Sequence, residues 1–204
     1  MKGETSVMPV AMLWTIPVAG VIGLVTLLLR GGDFPAVAMT SPDKFLVYQY
    51  LLIAAYVLPF PGFIALWLQC RTSDRPGTLS FLGLLGLIWG TSLALPALGI
   101  ASFMMPAAVD LGSASVTNAA VQGALMGPGL PLGIVAASLY TLGPVLLGID
   151  LWRTGRYPGA GVALFAAHGT LLSFGFAFFP LLILGWAMLS VSGSLFAIRY
   201  KSSG

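Results

Sequence analysis

With 204 residues, 58% apolar and only 7% charged, the chain lies far below the roughly 25% charge of ordinary soluble domains, which excludes a water-soluble globule. Its net charge of +3 comes from Lys and Arg set in ones and twos at the ends of apolar runs. There is no basic stripe interleaved with aromatics, so a nucleic-acid partner is excluded, and the lone Cys70 excludes an internal disulfide and an all-cysteine metal cage.

Residues 5 to 29 carry no charge and stop at Arg30, enough to cross roughly 30 Å of hydrocarbon at 1.5 Å per residue. The alternative, a signal peptide cleaved after Ala36-Val37-Ala38, would have too long an apolar core and too distant a site. Residues 45 to 70 form a second run, broken by Leu58-Pro59-Phe60-Pro61-Gly62, where two prolines remove backbone donors and predict a kink. Cys70, at the end of this run beside Arg71, reads as a small apolar residue, the alternative being a lipidated or reactive thiol.

The turn Arg71 to Gly77 leads into a third span over about 78 to 102, with Pro96 in its second half. Residues 103 to 128 are the longest connection, with a short interfacial helix expected at about 113 to 126, capped by Ser113. A fourth span runs from about Pro131 to Leu151 and contains Gly143-Pro144. From Ala160 to Ile198 the only ionisable side chain of Asp, Glu, Lys, Arg or His type is His168. One helix of that length would measure about 58 Å, so the run must be two spans, turning within Phe174 to Pro180.

The expected fold is therefore all-α, a single polytopic membrane bundle of six transmembrane helices over residues 1 to 204. Six spans put Lys2, Arg71, Arg75, Arg153, Arg156, Arg199 and Lys201 on one face and only Arg30 and Lys44 on the other. Cytoplasmic loops carry the excess of Lys and Arg, so both termini are expected in the cytoplasm. Fusing the last two spans would move Arg199 and Lys201 across and nearly erase the bias.

Small residues recur at helical spacing: Ala11, Thr15, Ala19 and Gly23 on the first span, Gly83, Gly86, Gly90, Ala94 and Ala97 on the third, and Gly129, Gly133, Ala137 and Thr141 at the start of the fourth. In lipid such faces let helices approach closely, so they read as packing surfaces. The turns at Arg71 to Gly77 and Arg153 to Gly159 share an Arg-Thr start and a Pro-Gly finish, which hints at duplicated hairpins.

Few residues carry chemistry. Asp150, three positions before Arg153, reads as a salt-bridged helix end, the sharper alternative being a proton or cation entry site. His168 lies among Leu164, Phe165, Leu171 and Leu172; it reads as a packing histidine, and its functional alternatives are a ligand-pocket group, a proton relay, or a metal or haem ligand. Gln49 and Tyr56, seven apart, share a face as an interhelical hydrogen-bonding pair or a pocket lining. His168, Gln49 and Tyr56 are thus the ligand-pocket candidates. No Asp or Glu lies at membrane depth, which argues against an ordinary ion-coupled transporter. Paired carboxylates, a histidine-rich metal motif and a phosphate-binding glycine loop are all lacking, which argues against an enzyme and calls for no cofactor.

The stretch Gly143-Pro144-Val145-Leu146-Leu147-Gly148-Ile149-Asp150-Leu151-Trp152-Arg153-Thr154-Gly155-Arg156-Tyr157-Pro158-Gly159, followed by a Gly- and Ala-rich span, resembles the last half of small bacterial multi-spanning membrane proteins of uncharacterised function, mainly over residues 130 to 190. The resemblance implies a bacterial inner-membrane helical bundle and no particular activity. The leading expectation is a non-catalytic integral membrane protein, either an accessory subunit with membrane protein partners or a binder of an apolar ligand. The alternative is an uncoupled transporter or channel for a small or lipophilic solute, motivated by the proline kinks.

Overall fold

A computed structural model of the chain describes residues 8–30, 41–71, 77–110, 119, 123, 129–175 and 178–202. Seven helices account for nearly all of them: α1 (Met8–Arg30), α2 (Pro42–Val57), α3 (Phe60–Cys70), α4 (Thr78–Asp110), α5 (Gly129–Thr154), α6 (Gly159–Phe174) and α7 (Phe179–Ser202). Together α2 and α3 form one broken span, so the expected crossings appear in order and the architecture is an all-helical bundle. Five spans are long and apolar enough to cross a membrane: α1, α2 with α3, α4, α5 and α7. The sixth, α6, has 16 residues and measures about 24 Å. The break expected between Phe174 and Pro180 falls where α6 ends and α7 begins.

Close approaches fix the order in which helices lie side by side. A methyl added at Gly20 would meet the Ser190 backbone at 2.5 Å, one at Gly23 would meet the Trp186 ring at 2.3 Å, and one at Gly193 would meet Pro17 at 2.7 Å, so α1 and α7 are antiparallel neighbours. Gly161 faces Leu195 and Gly185 faces Leu172, which makes α6 antiparallel to α7. The most extensive contact is α4 on α5: a methyl on Gly83 or Gly90 would lie 2.6 Å from the α5 backbone, at Gly143 and Leu147 or at Tyr140. The third-span glycines therefore form the packing face that their spacing predicts.

The same geometry corrects other expectations. Among the described residues a methyl at Gly133 would meet nothing within 4 Å, and Ala11 is exposed whereas Ala19 and Gly23 are buried. Helix α4 continues past residue 102 to Asp110, running through Pro96 and Pro106. The interfacial helix expected at about 113 to 126 lies outside the described residues apart from Ala119 and Gly123, both helical.

The prolines of the second span break its helix. Leu58 and Pro59 form a turn between α2 and α3, Phe63 N–H donates to Pro59 O at 3.0 Å, and the Gly62 N–H donates to the Thr15 hydroxyl of α1 at 3.1 Å. That hydroxyl donates in turn to Met12 O at 2.7 Å. A backbone donor freed by proline inside a membrane must find a partner, and Thr15 supplies it. Around Pro17 and Pro144 the helices run on.

An aromatic column holds the interior together: Phe63 on Phe165 at 5.8 Å between ring centroids, Phe165 on Phe196 at 5.7 Å, and Phe196 on Tyr157 at 4.8 Å. It couples α3, α6 and α7 to the turn before α6. That turn, the α3–α4 connection, the end of α7 and the start of α1 all lie at one end of the bundle. Arg30, whose guanidinium lies 5.2 Å from the Phe179 ring centroid, and Lys44 lie at the other.

Candidate functional site

His168 is fully buried on α6. Its Nδ1 is hydrogen-bonded to the carbonyl of Phe165, one turn back. A carbonyl only accepts, so Nδ1 carries the proton of the neutral ring and Nε2 presents a bare lone pair. That Nε2 has no hydrogen-bond partner among the described residues. Around the imidazole stand Phe165, with ring centroids 5.0 Å apart, and Tyr140, at 6.1 Å and nearly perpendicular. Tyr140 leads on to Tyr56 at 6.0 Å, and Tyr56 to Trp186 at 5.0 Å.

The bundle thus connects two of the three residues singled out from the sequence, His168 and Tyr56, through Tyr140. Gln49 is buried on the same helix as Tyr56, two turns away, with its Nε2 unpartnered. Sequence reasoning missed Tyr140 and Trp186. Their signal was depth: both sit in mid-span, whereas Tyr and Trp of membrane helices collect at the water interface. The cluster is tightly filled. A methyl at Gly169, next to His168, would meet the Pro144 ring at 2.7 Å and Tyr140 O at 2.8 Å, and Trp186 lies on Gly23. The imidazole is thus closely packed, with its Nε2 left without a hydrogen bond among the described residues.

Polar chemistry concentrates instead at the arginine-rich end. Asp150 Oδ1 meets Arg153 at 3.4 Å, the expected helix-end pair, and Oδ2 accepts the Ser80 N–H at 2.8 Å. The second contact was not foreseen: a carboxylate at the end of α5 caps the first turn of α4, where unsatisfied N–H groups and the helix dipole favour negative charge. Gly77, with φ +65°, bends the chain into that helix, and its carbonyl accepts both Phe81 N–H and the Ser80 hydroxyl. The other turn uses Gly155, φ +64°. These glycines do not occupy equivalent places in the two Arg-Thr…Pro-Gly turns, so the backbone does not repeat where the sequence does.

The two turns are tied together by Tyr157, whose hydroxyl is hydrogen-bonded to Gln69 Oε1, and by Arg156, which donates to Gln69 O at 3.5 Å. Burial pushes the Tyr157 phenol above its ordinary value, with the Gln69 bond opposing the shift. Cys70 is buried there too, 3% exposed, which fits the small apolar reading and leaves the thiol no access to a lipidating reagent.

Beside this end, on the outer surface, α5 and α6 part to leave a groove of about 440 Å³. Val145, Gly148, Ile149, Val162, Ala163 and Ala166 line it, and Trp152 and Arg153 stand at its charged end. The Trp152 ring is 61% exposed and lies over Gly159, 3.1 Å from where a methyl there would sit. Fold and sites together define a polytopic helical membrane bundle with a closely packed core and a lateral groove. No family model, curated protein or solved structure matches this chain.

Proposed function

We propose that the protein is a non-catalytic integral membrane protein that binds an apolar ligand in the α5–α6 groove, alone or as an accessory subunit of a membrane complex. The groove carries this reading: its six walls and floor residues between Val145 and Ala166 are apolar, and it opens sideways. Among the described residues no three His, Cys, Asp or Glu side chains come together as they would around a metal ion. The charge bias favours a plasma-membrane orientation with both termini cytoplasmic. The bacterial inner membrane enters only through the resemblance of residues 130 to 190.

The proline kinks that motivated an uncoupled transporter lend it little support in this bundle. Pro59 and Gly62 are buried, a methyl at Gly62 would meet Ile16 at 2.4 Å, and Pro144 lies against Gly169. The ligand reading is tested by extracting the protein in mild detergent and measuring retained lipid or other apolar molecules by native mass spectrometry. A retained apolar molecule that disappears in Ala163→Phe, where the new ring fills the groove, is the expected result. A bare monomer, or equal retention in the variant, overturns the reading. An absorption spectrum of the same sample, with haem supplied during expression, tests His168 as a haem ligand through its Soret band.

A further inference from the structure

We propose that α3 is a hinged half-helix, pivoting at Thr15 and latched at Gln69, whose release widens a cleft at the arginine-rich end of the bundle. The device is independent of the α5–α6 groove and its ligand.

The hinge follows from the prolines. Pro59 and Pro61 carry no N–H, so the carbonyls of Ala55 and Val57 lose the donors that a continuous helix would give them. The Gly62 N–H goes to Thr15 of α1 instead of back to Leu58. Three of the four residues from Pro59 to Gly62 therefore make no ladder bond to the preceding turn. The near end of α3 stays in place all the same, because Gly62 is pressed on α1, where a methyl would meet Ile16 at 2.4 Å.

The far end is held by a latch. Tyr157, fixed by its ring on Phe196 at 4.8 Å, is hydrogen-bonded to Gln69 Oε1, and Arg156 donates to Gln69 O at 3.5 Å. At 1.5 Å per residue the 11 residues of α3 form a lever of about 16 Å, so a swing of about 15° carries Gln69 about 4 Å and breaks both bonds.

The latched position leaves polar groups unpaid. Trp67 Nε1 and Gln69 Nε2 are buried donors with no acceptor among the described residues, a cost that water at the membrane edge removes on release. Leu68 is exposed on the outer side of α3, and in lipid acyl chains replace the helix contacts that an outward swing gives up. Cys70 walls a cleft of about 480 Å³ together with Gly77, Thr78, Asp150 and Thr154, so the same swing widens it.

The test uses the full chain in mild detergent and the reaction of its one thiol, Cys70, with a water-soluble maleimide, followed by intact mass. Cys70 is 3% exposed in the latched position, so its rate reports how often α3 is released. The control is Ser192→Cys in a Cys70→Ala background, a fully buried position on α7 that reacts only when the bundle unfolds. Cys70 should react at least about tenfold faster than the control. Tyr157→Phe removes one latch bond and should speed Cys70 about fivefold. Pro59→Ala with Pro61→Ala restores two ladder donors and should slow it. Circular dichroism and the thermal midpoint check that each variant has folded. Equal rates at positions 70 and 192, or an unchanged Cys70 rate in Tyr157→Phe, overturn the proposal. A folded double proline variant that reacts as fast as the unaltered chain overturns it too; should that variant not fold, the first two comparisons decide.

Discussion

At the scale of single residues, the physics of an apolar solvent makes sharp distinctions. His168 Nε2 is buried without a partner, and a buried acceptor left unmade is a cost that an apolar ring of similar shape would not carry. His168→Phe is therefore expected to leave the thermal midpoint in detergent unchanged or raised, whereas His168→Ala, which empties the space between Phe165 and Tyr140, should cost about 3 kcal/mol. A clear loss in His168→Phe would mean that the lone pair is used. Asp150 and Arg153 separate in the same way. Asp150→Ala removes the tertiary cap of α4 and should cost about 1 to 2 kcal/mol, while Arg153→Gln, at an exposed side chain, should change stability very little. Tyr157 gives the pH dependence. Its raised folded value means that above the ordinary phenol value of about 10 the unfolded chain releases a proton which the folded chain keeps, so stability falls as pH rises beyond that point. Tyr157→Phe should lose the Gln69 bond, about 1 kcal/mol at neutral pH, and flatten this decline in a melting series from pH 8 to 11.

At the scale of helices, backbone proximity decides which glycines matter. Gly83→Ala would bring a methyl to 2.6 Å from Gly143 O and Leu147 N, backbone atoms that cannot turn aside, so α4 and α5 must separate. Gly86→Ala meets its nearest atom at 3.0 Å, and Gly133→Ala meets none within 4 Å. Thermal unfolding should accordingly rank Gly83→Ala as the most damaging, Gly86→Ala as milder and Gly133→Ala as neutral; a reversed order would show that the α4–α5 contact is not as described. This ranking also marks how far the sequence could be read. The spacing of Gly83, Gly86 and Gly90 announces a face, because a helix repeats its faces every three or four residues wherever it is placed. Gly133 shows the same spacing and meets no neighbour among the described residues, since periodicity says which residues share a face but not whether a neighbour lies there. The α6–α7 break was legible because helix length and bilayer thickness are both fixed. The Asp150 cap, 70 residues from Ser80, and the Tyr157–Gln69 pair, 88 apart, were not, because local pattern carries no information about which helix ends meet. For the candidate site, His168 and Tyr56 could be picked out as polar groups at depth, but the groove depends on how α5 and α6 diverge beyond Gly169, which composition does not encode.

At the scale of the whole molecule, the bundle gathers Arg71, Arg153, Arg156 and Arg199 at one end and leaves Arg30 and Lys44 at the other. Antiparallel contacts between successive spans produce this separation, so it does not depend on where each loop is drawn. Translocating an arginine-rich end is disfavoured, and that end is expected in the cytoplasm. Cys70, being buried, can be exchanged for alanine to give a background without thiols. In that background, single cysteines at Lys44 and at Arg156 should respond oppositely to a membrane-impermeant maleimide applied to intact cells: position 44 labelled, position 156 protected until the membrane is opened. Substituting Arg71, Arg153 and Arg156 together by glutamine, in a chain carrying the reporter at position 44, should then weaken the asymmetry that orients the hairpins and lower labelling there. Labelling of position 156 in intact cells would invert the assignment and would place the groove's charged end, with Trp152 and Arg153, in the outer leaflet.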